Sequence, residues 1–359
     1  MAKIVLLVAC CLLIASCSKT KIVNKIELIQ TIGVDLSGKS VKSTMLAGNY
    51  KKKGESGVQL LGTKSDTNLD MMSRINAQTR NPIEYGQLRM LLYGKEYSRK
   101  GIADMMQNLC HDSKLSTRMQ LGVTDKEASD ILAAVAQSEE SYFLSDMIEH
   151  HIKNGTLPHN NLQIALFNYY GKGRDLFLPY LKLTEGKIVV DGLALFKDDK
   201  YVTKINMQEA FLLKMLIENS DNGTYLASIR ATEQQSASPV LLHSISSKVK
   251  YSLNRLHPQP SLSVLVHMDA QIKYVPDWID PTSSAHRSML ENELGSYFEQ
   301  VLQALLSLCK KHNVDPAGLG DFVRSRSIRW NEQEFQASYP QMQTQVTVKL
   351  KIVETGVSL

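Results

Sequence analysis

Residues 33–40 (GVDLSGKS) match the phosphate-binding pattern G-x-x-x-x-G-K-[ST] letter for letter. In proteins that use this pattern, backbone amides cradle the nucleotide phosphates, the lysine reaches the outer phosphates, and the hydroxyl binds Mg²⁺. The apolar, β-branched stretch 26–34 predicts the strand that must precede such a loop, and Asp191 offers a distant carboxylate for the metal. The match raises the hypothesis of a nucleoside triphosphatase that depends on Lys39.

The residues after the match favour a β-hairpin instead. A phosphate loop opens into a helix, so that the helix N-terminus meets the phosphate. Here residues 41–46 are partly β-branched and stop at Gly48 and Asn49. Asp35 would also place a carboxylate in the phosphate cradle unless it turned outward. We therefore predict two strands joined by an Asp, Ser and Gly turn, and keep the nucleotide site as the alternative.

The histidines show no metal-binding spacing. His150 and His151 are adjacent on a predicted helix and point about 100° apart, so they do not share a face as an i, i+4 pair would. Together with His159 they are predicted to be solvated. The sequence contains no Cys-x-x-Cys, Gly-x-Ser-x-Gly or His-Glu-x-x-His motif. We predict a protein that binds or scaffolds, with no catalytic residue, no metal and no cofactor.

The N-terminus has the form of a lipoprotein export signal. An uninterrupted apolar run, Ile4–Ala15, suits a signal peptide and is shorter than the roughly 20 residues that span a bilayer. Small residues then precede Cys17, an order typical of bacterial lipoproteins. We predict that residues 1–16 are removed, that Cys17 carries a diacylglyceryl group, and that residues 17–25 form a lipidated tether. The mature chain would then lie outside the cytoplasm, away from ATP.

Two further cysteines follow the tether. Cys110 and Cys309 each fall where a helical apolar stripe is predicted, so both are expected to be buried free thiols. A disulfide bond between them is left open at this point.

The composition is that of a globular protein, with 43% hydrophobic and 21% charged residues. The formal net charge is +5, with Lys and Arg spread along the chain, which argues against a nucleic-acid-binding face. Apolar patterns of period two alternate with patterns of period 3.6, which predicts an α+β (mixed α/β) fold. Three domains are predicted after the tether: an N-terminal α/β domain (26–183), a middle β-hairpin and helix (184–231) and a C-terminal α/β domain (232–359).

Several elements are predicted within these domains. The N-terminal domain should contain helices at 66–78 and 98–110, and a helix opened by the capping-box pattern Thr124–Glu127. In the middle domain a hairpin turns at Asp198–Asp199, and Asn206 caps the helix that follows.

The C-terminal domain should contain a long helix, about 287–311, between strands at 262–272 and 345–352. In the last strand Val346, Val348, Leu350 and Ile352 face one way, and Thr347, Lys349 and Lys351 face the other.

Several segments, taken in order along the chain, resemble the Ger(x)C family of spore germination lipoproteins. They are Ile32–Asp35, Gly86–Arg89, Gly173–Asp175 with Pro179, Gly192–Lys200, the long helix, Asp315, Gly318–Gly320, Trp330, Phe335 and Thr355–Gly356. The lipidation signal at Cys17 also has its place in that family. Residues 79–85 and 324–327 depart from the family's pattern, which affects surface details more than the fold.

The resemblance implies three α/β domains in an elongated body that is anchored through Cys17 to the outer face of the spore inner membrane. It implies integral-membrane germinant receptor subunits as partners, one of them transporter-like. It also implies a part in nutrient-triggered germination without enzymatic activity, and it supplies no site residue other than Cys17. The alternative is an exported solute-binding lipoprotein that captures a small nutrient in an apolar pocket of roughly 300–1,000 Å³.

Overall fold

The computed structural model describes residues 26–50, 56–67, 70–138, 142–230, 237–257, 259–280, 282–328 and 330–355. Within these ranges the chain forms two mixed β-sheets and ten α-helices, which confirms the predicted mixed α/β class. Cys17 and the predicted signal peptide lie outside the described residues.

Thirteen strands are present in the described ranges. They are β1 (Glu27–Ser37), β2 (Ser40–Tyr50), β3 (Ser56–Ser65), β4 (Ile83–Glu84), β5 (Met90–Tyr93), β6 (Gln120–Thr124), β7 (Phe177–Thr184), β8 (Lys187–Lys197), β9 (Lys200–Ile205), β10 (Thr224–Ile229), β11 (Ser238–Arg255), β12 (Ser261–Tyr274) and β13 (Gln343–Thr355). The helices are α1 (Met71–Asn76), α2 (Lys95–Lys100), α3 (Ala103–His111), α4 (Ala128–Ser138), α5 (Phe143–Lys153), α6 (Leu162–Tyr170), α7 (Met207–Ile217), α8 (Ser284–Lys311), α9 (Leu319–Arg326) and α10 (Glu332–Ser338), and a 3₁₀ turn covers Tyr339–Gln341.

The first sheet has the order β3-β2-β1-β5-β6-β7-β8-β9, and β4 pairs with β1 beside β5. Its centre, β1-β5-β6-β7, is parallel, and antiparallel hairpins extend it on both sides. The central strands β5 and β6 are buried along their whole length. Continuous apolar runs of this kind are expected where helices cover both faces of a parallel sheet.

Helices cover the first sheet on both sides. One apolar cluster joins one face to α1, α2, α3 and α6, and a second joins the other face to α4 and α5. The predicted helix at 98–110 is in fact two helices, because Gly101 lies between them with φ +132°. A Cβ at Gly101 would meet the carboxylate of Asp199 in the β8–β9 turn. The helix is therefore interrupted where the backbone packs closely against that turn.

The second sheet has the order β10-β11-β12-β13, with β12 and β13 parallel and joined through α8. The side chains of Leu294, Phe298 and Leu302 on α8 are buried against the inner face of this sheet. The outer edge of β13 is also protected, because Glu299 and Glu291 accept hydrogen bonds from strand amides at 2.9 Å each. Side chains that occupy edge amides prevent further strand pairing at that edge.

The helix α7 connects the two sheets. Asn206 caps this helix as the sequence predicts, and a reciprocal bond with Glu209 completes a capping box. Most of α7 is buried in the cluster that joins β8 and β9 to the second sheet. The predicted boundary at 183 lies at the end of β7, which pairs with β8, so the middle hairpin extends the first sheet. The predicted boundary at 231 lies between β10 and β11, which pair in the second sheet.

Candidate functional site

The phosphate-loop match is a β-hairpin. Ser37 pairs with Ser40, and the two-residue turn between them holds Gly38 at φ +64° with Lys39 exposed. The hairpin prediction is therefore confirmed. Lys39 is followed directly by strand β2, which continues to Tyr50, and not by a helix. The geometry that places amides around a phosphate is therefore not formed here.

Asp35 has a structural role at the end of β1. Its buried carboxylate accepts hydrogen bonds from the amides of Ala128 and Ser129, at 2.6 and 3.0 Å, at the start of α4. Burial raises the pKa of Asp35, and the two amide donors act against that rise. Thr124 was predicted to cap this helix, but its hydroxyl donates to the carbonyl of Lys126, and Asp35 supplies the cap from a distant strand.

The predicted histidines and the two cysteines Cys110 and Cys309 do not form a metal site in the described ranges. His150 is exposed, His159 contacts Glu218 at 3.0 Å, and burial lowers the pKa of the half-buried His151. In the described ranges, no three His, Cys, Asp or Glu side chains could hold a metal ion together. Both thiols are free, and Cys309 is buried as predicted.

The prediction for Cys110 is wrong, because this residue is exposed. Its helix α3 buries Met105, Met106 and Leu109, and Cys110 faces away from that stripe.

Three of the segments that carry the family resemblance meet in space, and we call this contact the junction. It consists of Gly173–Asp175 before β7, Lys197 at the end of β8, and the segment 313–321 that leads into α9. The Asp175 amide donates to the Asp315 carbonyl at 2.9 Å, and the Asp315 amide donates to the Asp175 carboxylate at 2.6 Å. These reciprocal bonds join the two sheets across 140 positions of sequence.

Both carboxylates of the junction are buried. Lys197 lies 3.3 Å from Asp175 and is the cation that compensates it. The carboxylate of Asp315 accepts bonds from the amides of Leu319 and Gly320 at 3.0 and 2.7 Å. Burial raises the pKa of Asp315 to about 7 despite those donors, and it raises the pKa of Asp175 as well.

A second ion pair closes the junction at its edge. Arg174 pairs with Asp321, and its guanidinium lies 4.3 Å from the ring centroid of Phe167. The Asp321 amide also donates to the Gly173 carbonyl at 2.7 Å. A Cβ on Gly320 would lie 2.9 Å from the Gly173 Cα, so the two backbones approach more closely than side chains would allow.

Two open clefts lie in this region, and the first is lined in part by Arg174 and Asp175 of the junction. One of about 470 Å³ lies among the aromatic and charged side chains of Tyr169, Tyr170, Lys172, Asp198 and Asp199. The other, of about 500 Å³, has an apolar floor that includes Trp330 and Phe335. The site can thus hold the two sheets together and present concave surfaces, and burial and ion pairing account for all of its unusual pKa values.

Comparison with known proteins decides the family. The family described as "Spore germination protein N-terminal domain" matches residues 19–183, and "Spore germination B3/ GerAC like, C-terminal" matches residues 191–356. This chain belongs to the Ger(x)C family of spore germination proteins. It is 26% identical to spore germination protein GerQC of Bacillus cereus over 95% of each chain. It also shares its fold with the crystal structure of the GerBC protein, with a TM-score of 0.56, 13% identity, and coverage of 90% of this chain and 96% of that one.

The Ger(x)C segments therefore have physical roles in this chain. Asp35 fixes α4 to β1, and Asp175, Lys197 and Asp315 fix the second sheet to the first. Sequence reasoning did not find Asp321 or Phe167, which complete the junction. The position of Asp321, directly after the Gly318–Gly320 segment, was the available signal. Among the described helices, none is both long and apolar enough to cross a membrane.

Proposed function

We propose that this protein is the lipid-anchored subunit of a spore germinant receptor, attached through Cys17 to the outer face of the spore inner membrane. The family match over nearly the whole chain carries the proposal, together with a relative named as a spore germination protein. The apolar run that ends at Cys17 supports the anchor. Nutrient-triggered germination would then depend on assembly with integral-membrane subunits, one of them transporter-like.

The role we propose is one of tethering and assembly, without catalysis or a cofactor. Two acyl chains hold a protein stably at a membrane surface. Confinement to that surface raises the effective concentration of the subunit near its membrane partners by orders of magnitude. The junction supports this role, because it keeps two sheets in one fixed relation and would let a contact made by one sheet orient the other.

The anchor is tested by intact mass and membrane fractionation of the native protein beside Cys17→Ala, in a spore-forming host. Cys110→Ala is the matched control, since Cys110 is an exposed free thiol that follows the predicted leader by more than 90 positions in the sequence. We expect a diacylglyceryl mass on Cys17, membrane attachment of wild type and Cys110→Ala, and its loss in Cys17→Ala. An unmodified Cys17 in a protein that fractionates with the soluble material would contradict the proposal.

Assembly is tested by capture of the receptor's membrane subunits through an affinity tag on this chain, after mild detergent extraction. We expect both integral-membrane subunits with wild type. Recovery of the anchored subunit alone, from spores that contain the membrane subunits, would contradict the assembly part of the proposal and leave the anchor intact.

A solute-binding lipoprotein is the second candidate, because the clefts beside the junction have volumes of about 470 and 500 Å³. Both lie within the roughly 300–1,000 Å³ of small-molecule sites. Ligand-observed NMR with the nutrients that trigger germination tests it. Binding that Tyr170→Ala abolishes would favour this candidate, and no binding at millimolar ligand would exclude it.

A further inference from the structure

The second sheet leaves one face uncovered. Along β12 the even-numbered residues such as Val264, Val266 and Met268 are buried beneath α8, and the odd-numbered ones point the other way. We call this second side the outer face. Its lysines are exposed, and those at its centre are Lys248, Lys250, Lys349 and Lys351.

Strand register brings these cations together. Lys248 of β11 pairs with His267 of β12, and His267 pairs with Lys349 of β13, which forms one row across three strands. Lys250 on β11 and Lys351 on β13 each lie two residues from this row, on opposite sides of it. Directly opposed residues lie about 5 Å apart, and residues two positions along a strand lie about 7 Å apart.

The charge of the outer face is not balanced within the described chain. None of the four lysines forms an ion pair with a described residue, whereas Lys42, Lys197 and Lys204 elsewhere do. Asp269 supplies a single negative charge among them. Lys248 and Lys349 flank His267 from the two strands beside β12, and Lys351 lies opposite Asp269. The face therefore carries four lysines against one carboxylate, and an anionic partner would stabilise this arrangement.

We propose that the outer face of the second sheet lies against anionic phospholipid headgroups. This inference rests on the proposed lipid anchor at Cys17. Eight residues separate Cys17 from Ile26, a length that spans at most roughly 30 Å. The anchor would therefore hold the protein close to the membrane, and contact between headgroups and lysines would fix which side faces it.

The geometry favours a headgroup plane over a single acidic peptide. The four ammonium groups lie on β11 and β13, on either side of β12, and are spread over an open face. The protected edge of β13 prevents a peptide from adding as a further strand. Basic residues near an anionic membrane surface attract it within about a Debye length of 8–10 Å. A basic patch adds electrostatic attraction to anionic headgroups to the hold of a lipid anchor.

The test is lysine footprinting of the native lipidated protein in vesicles, with a water-soluble amine-reactive reagent read by mass spectrometry. Vesicles of phosphatidylcholine are compared with vesicles that also contain phosphatidylglycerol. We expect Lys248, Lys250, Lys349 and Lys351 to react several-fold more slowly in the anionic vesicles. About 1 M salt should remove the difference, because it shortens the Debye length to about 3 Å.

Exposed lysines on the first sheet, Lys39, Lys64 and Lys187, are internal controls and should react equally in all vesicles. The double variant Lys248→Glu with Lys349→Glu should abolish the protection of Lys250 and Lys351, whereas Lys39→Glu with Lys64→Glu should leave it unchanged. The wild-type result stands by itself if a variant fails to fold.

Equal reaction of the four lysines in both vesicle types, with the protein still bound, would overturn the inference without touching the anchor. Protection that appears only when the receptor's membrane subunits are present would assign the face to an acidic protein instead. A protein that binds neither kind of vesicle would contradict the anchor itself.

Discussion

The two sheets of this protein are buried in different ways. Helices cover both faces of the first sheet, and its central strands are buried along their length. The second sheet buries one face beneath α8 and exposes a row of lysines on the other. When only one face of a sheet is buried, substitutions on the exposed face leave the hydrophobic core intact. The side chains that stabilise the fold are then different from those that can contact a partner. The first sheet therefore has no face free of helices, whereas the outer face of the second sheet is open for the headgroup contact that we propose.

The largest expected effect comes from a substitution on the covered face of the second sheet. Phe298 on α8 is fully buried, so Phe298→Ala should lower the free energy of unfolding by about 3–5 kcal/mol. Lys349→Ala on the outer face of the same sheet should change it by less than about 0.5 kcal/mol. Urea unfolding measures both, and similar losses would contradict the distinction between the two faces.

The next effect concerns the junction that joins the sheets. Lys197→Met leaves the buried Asp175 carboxylate without its cation, which should cost about 3 kcal/mol at pH 8. The cost should fall as the pH is lowered, because burial raises the pKa of Asp175 and protonation removes the unpaired charge. Lys200→Met, at the exposed side of the same turn, is the control and should be near neutral. An equal effect of both variants would show that the ion pair adds nothing.

A smaller effect follows from the titration of Asp315. Its folded pKa of about 7 lies above the usual aspartate value of 3.8, so the folded protein holds this proton more tightly than the unfolded chain. The resulting stability is present below about pH 4 and is lost as pH rises through about 7. Between pH 5 and 7, Asp315 should make unfolding easier by at most about 1.4 kcal/mol per pH unit, and this contribution should level off above pH 7. Asp315→Asn should flatten the dependence on pH of the free energy of unfolding, measured with urea. An unchanged pH dependence would contradict a raised pKa of Asp315.

In the first sheet, loss of the Asp35 cap should lower the free energy of unfolding by about 1 kcal/mol. Asp35→Ala removes the acceptor for the amides of Ala128 and Ser129, and loss of an N-terminal cap costs about that much. Asp35→Asn keeps one acceptor oxygen and should cost less. Hydrogen exchange should show faster opening of the first turn of α4, and unchanged exchange in Asp35→Ala would show that the cap is dispensable.

The smallest expected effect concerns the phosphate-loop match. Lys39 is exposed in a hairpin turn, so Lys39→Ala should change the free energy of unfolding by less than about 0.5 kcal/mol. Neither protein should bind ATP in equilibrium dialysis. ATP binding by wild type that Lys39→Ala abolishes would revive the nucleotide hypothesis.

The sequence predicted local features better than distant contacts. The hairpins at Gly38 and Asp198, the Asn206 capping box and the strand alternation in β13 all follow from residues close together in the chain. Strand β11 was not predicted, because register shifts near His243 and Ser246 break its period-two pattern.

The junction could not be derived from spacing. Asp175 and Asp315 are far apart in sequence, and only the docking of the second sheet makes them neighbours. The family resemblance marked these segments, and the structure supplies the physical reason. The sequence predicted Thr124 as the cap of α4 for the same reason. The carboxylate that caps this helix comes from Asp35 on β1, about 90 positions earlier, and a pattern of neighbouring residues does not include it.

The most direct test of the central claim is nutrient-triggered germination in spores that carry wild type, Cys17→Ala or Cys110→Ala in place of the native gene. Protein levels are checked by immunoblot, and germination is followed by release of dipicolinic acid. The account predicts normal germination with wild type and Cys110→Ala, and a severe loss with Cys17→Ala. Normal germination by Cys17→Ala, with the variant protein present and unlipidated, would contradict a lipid-anchored receptor subunit.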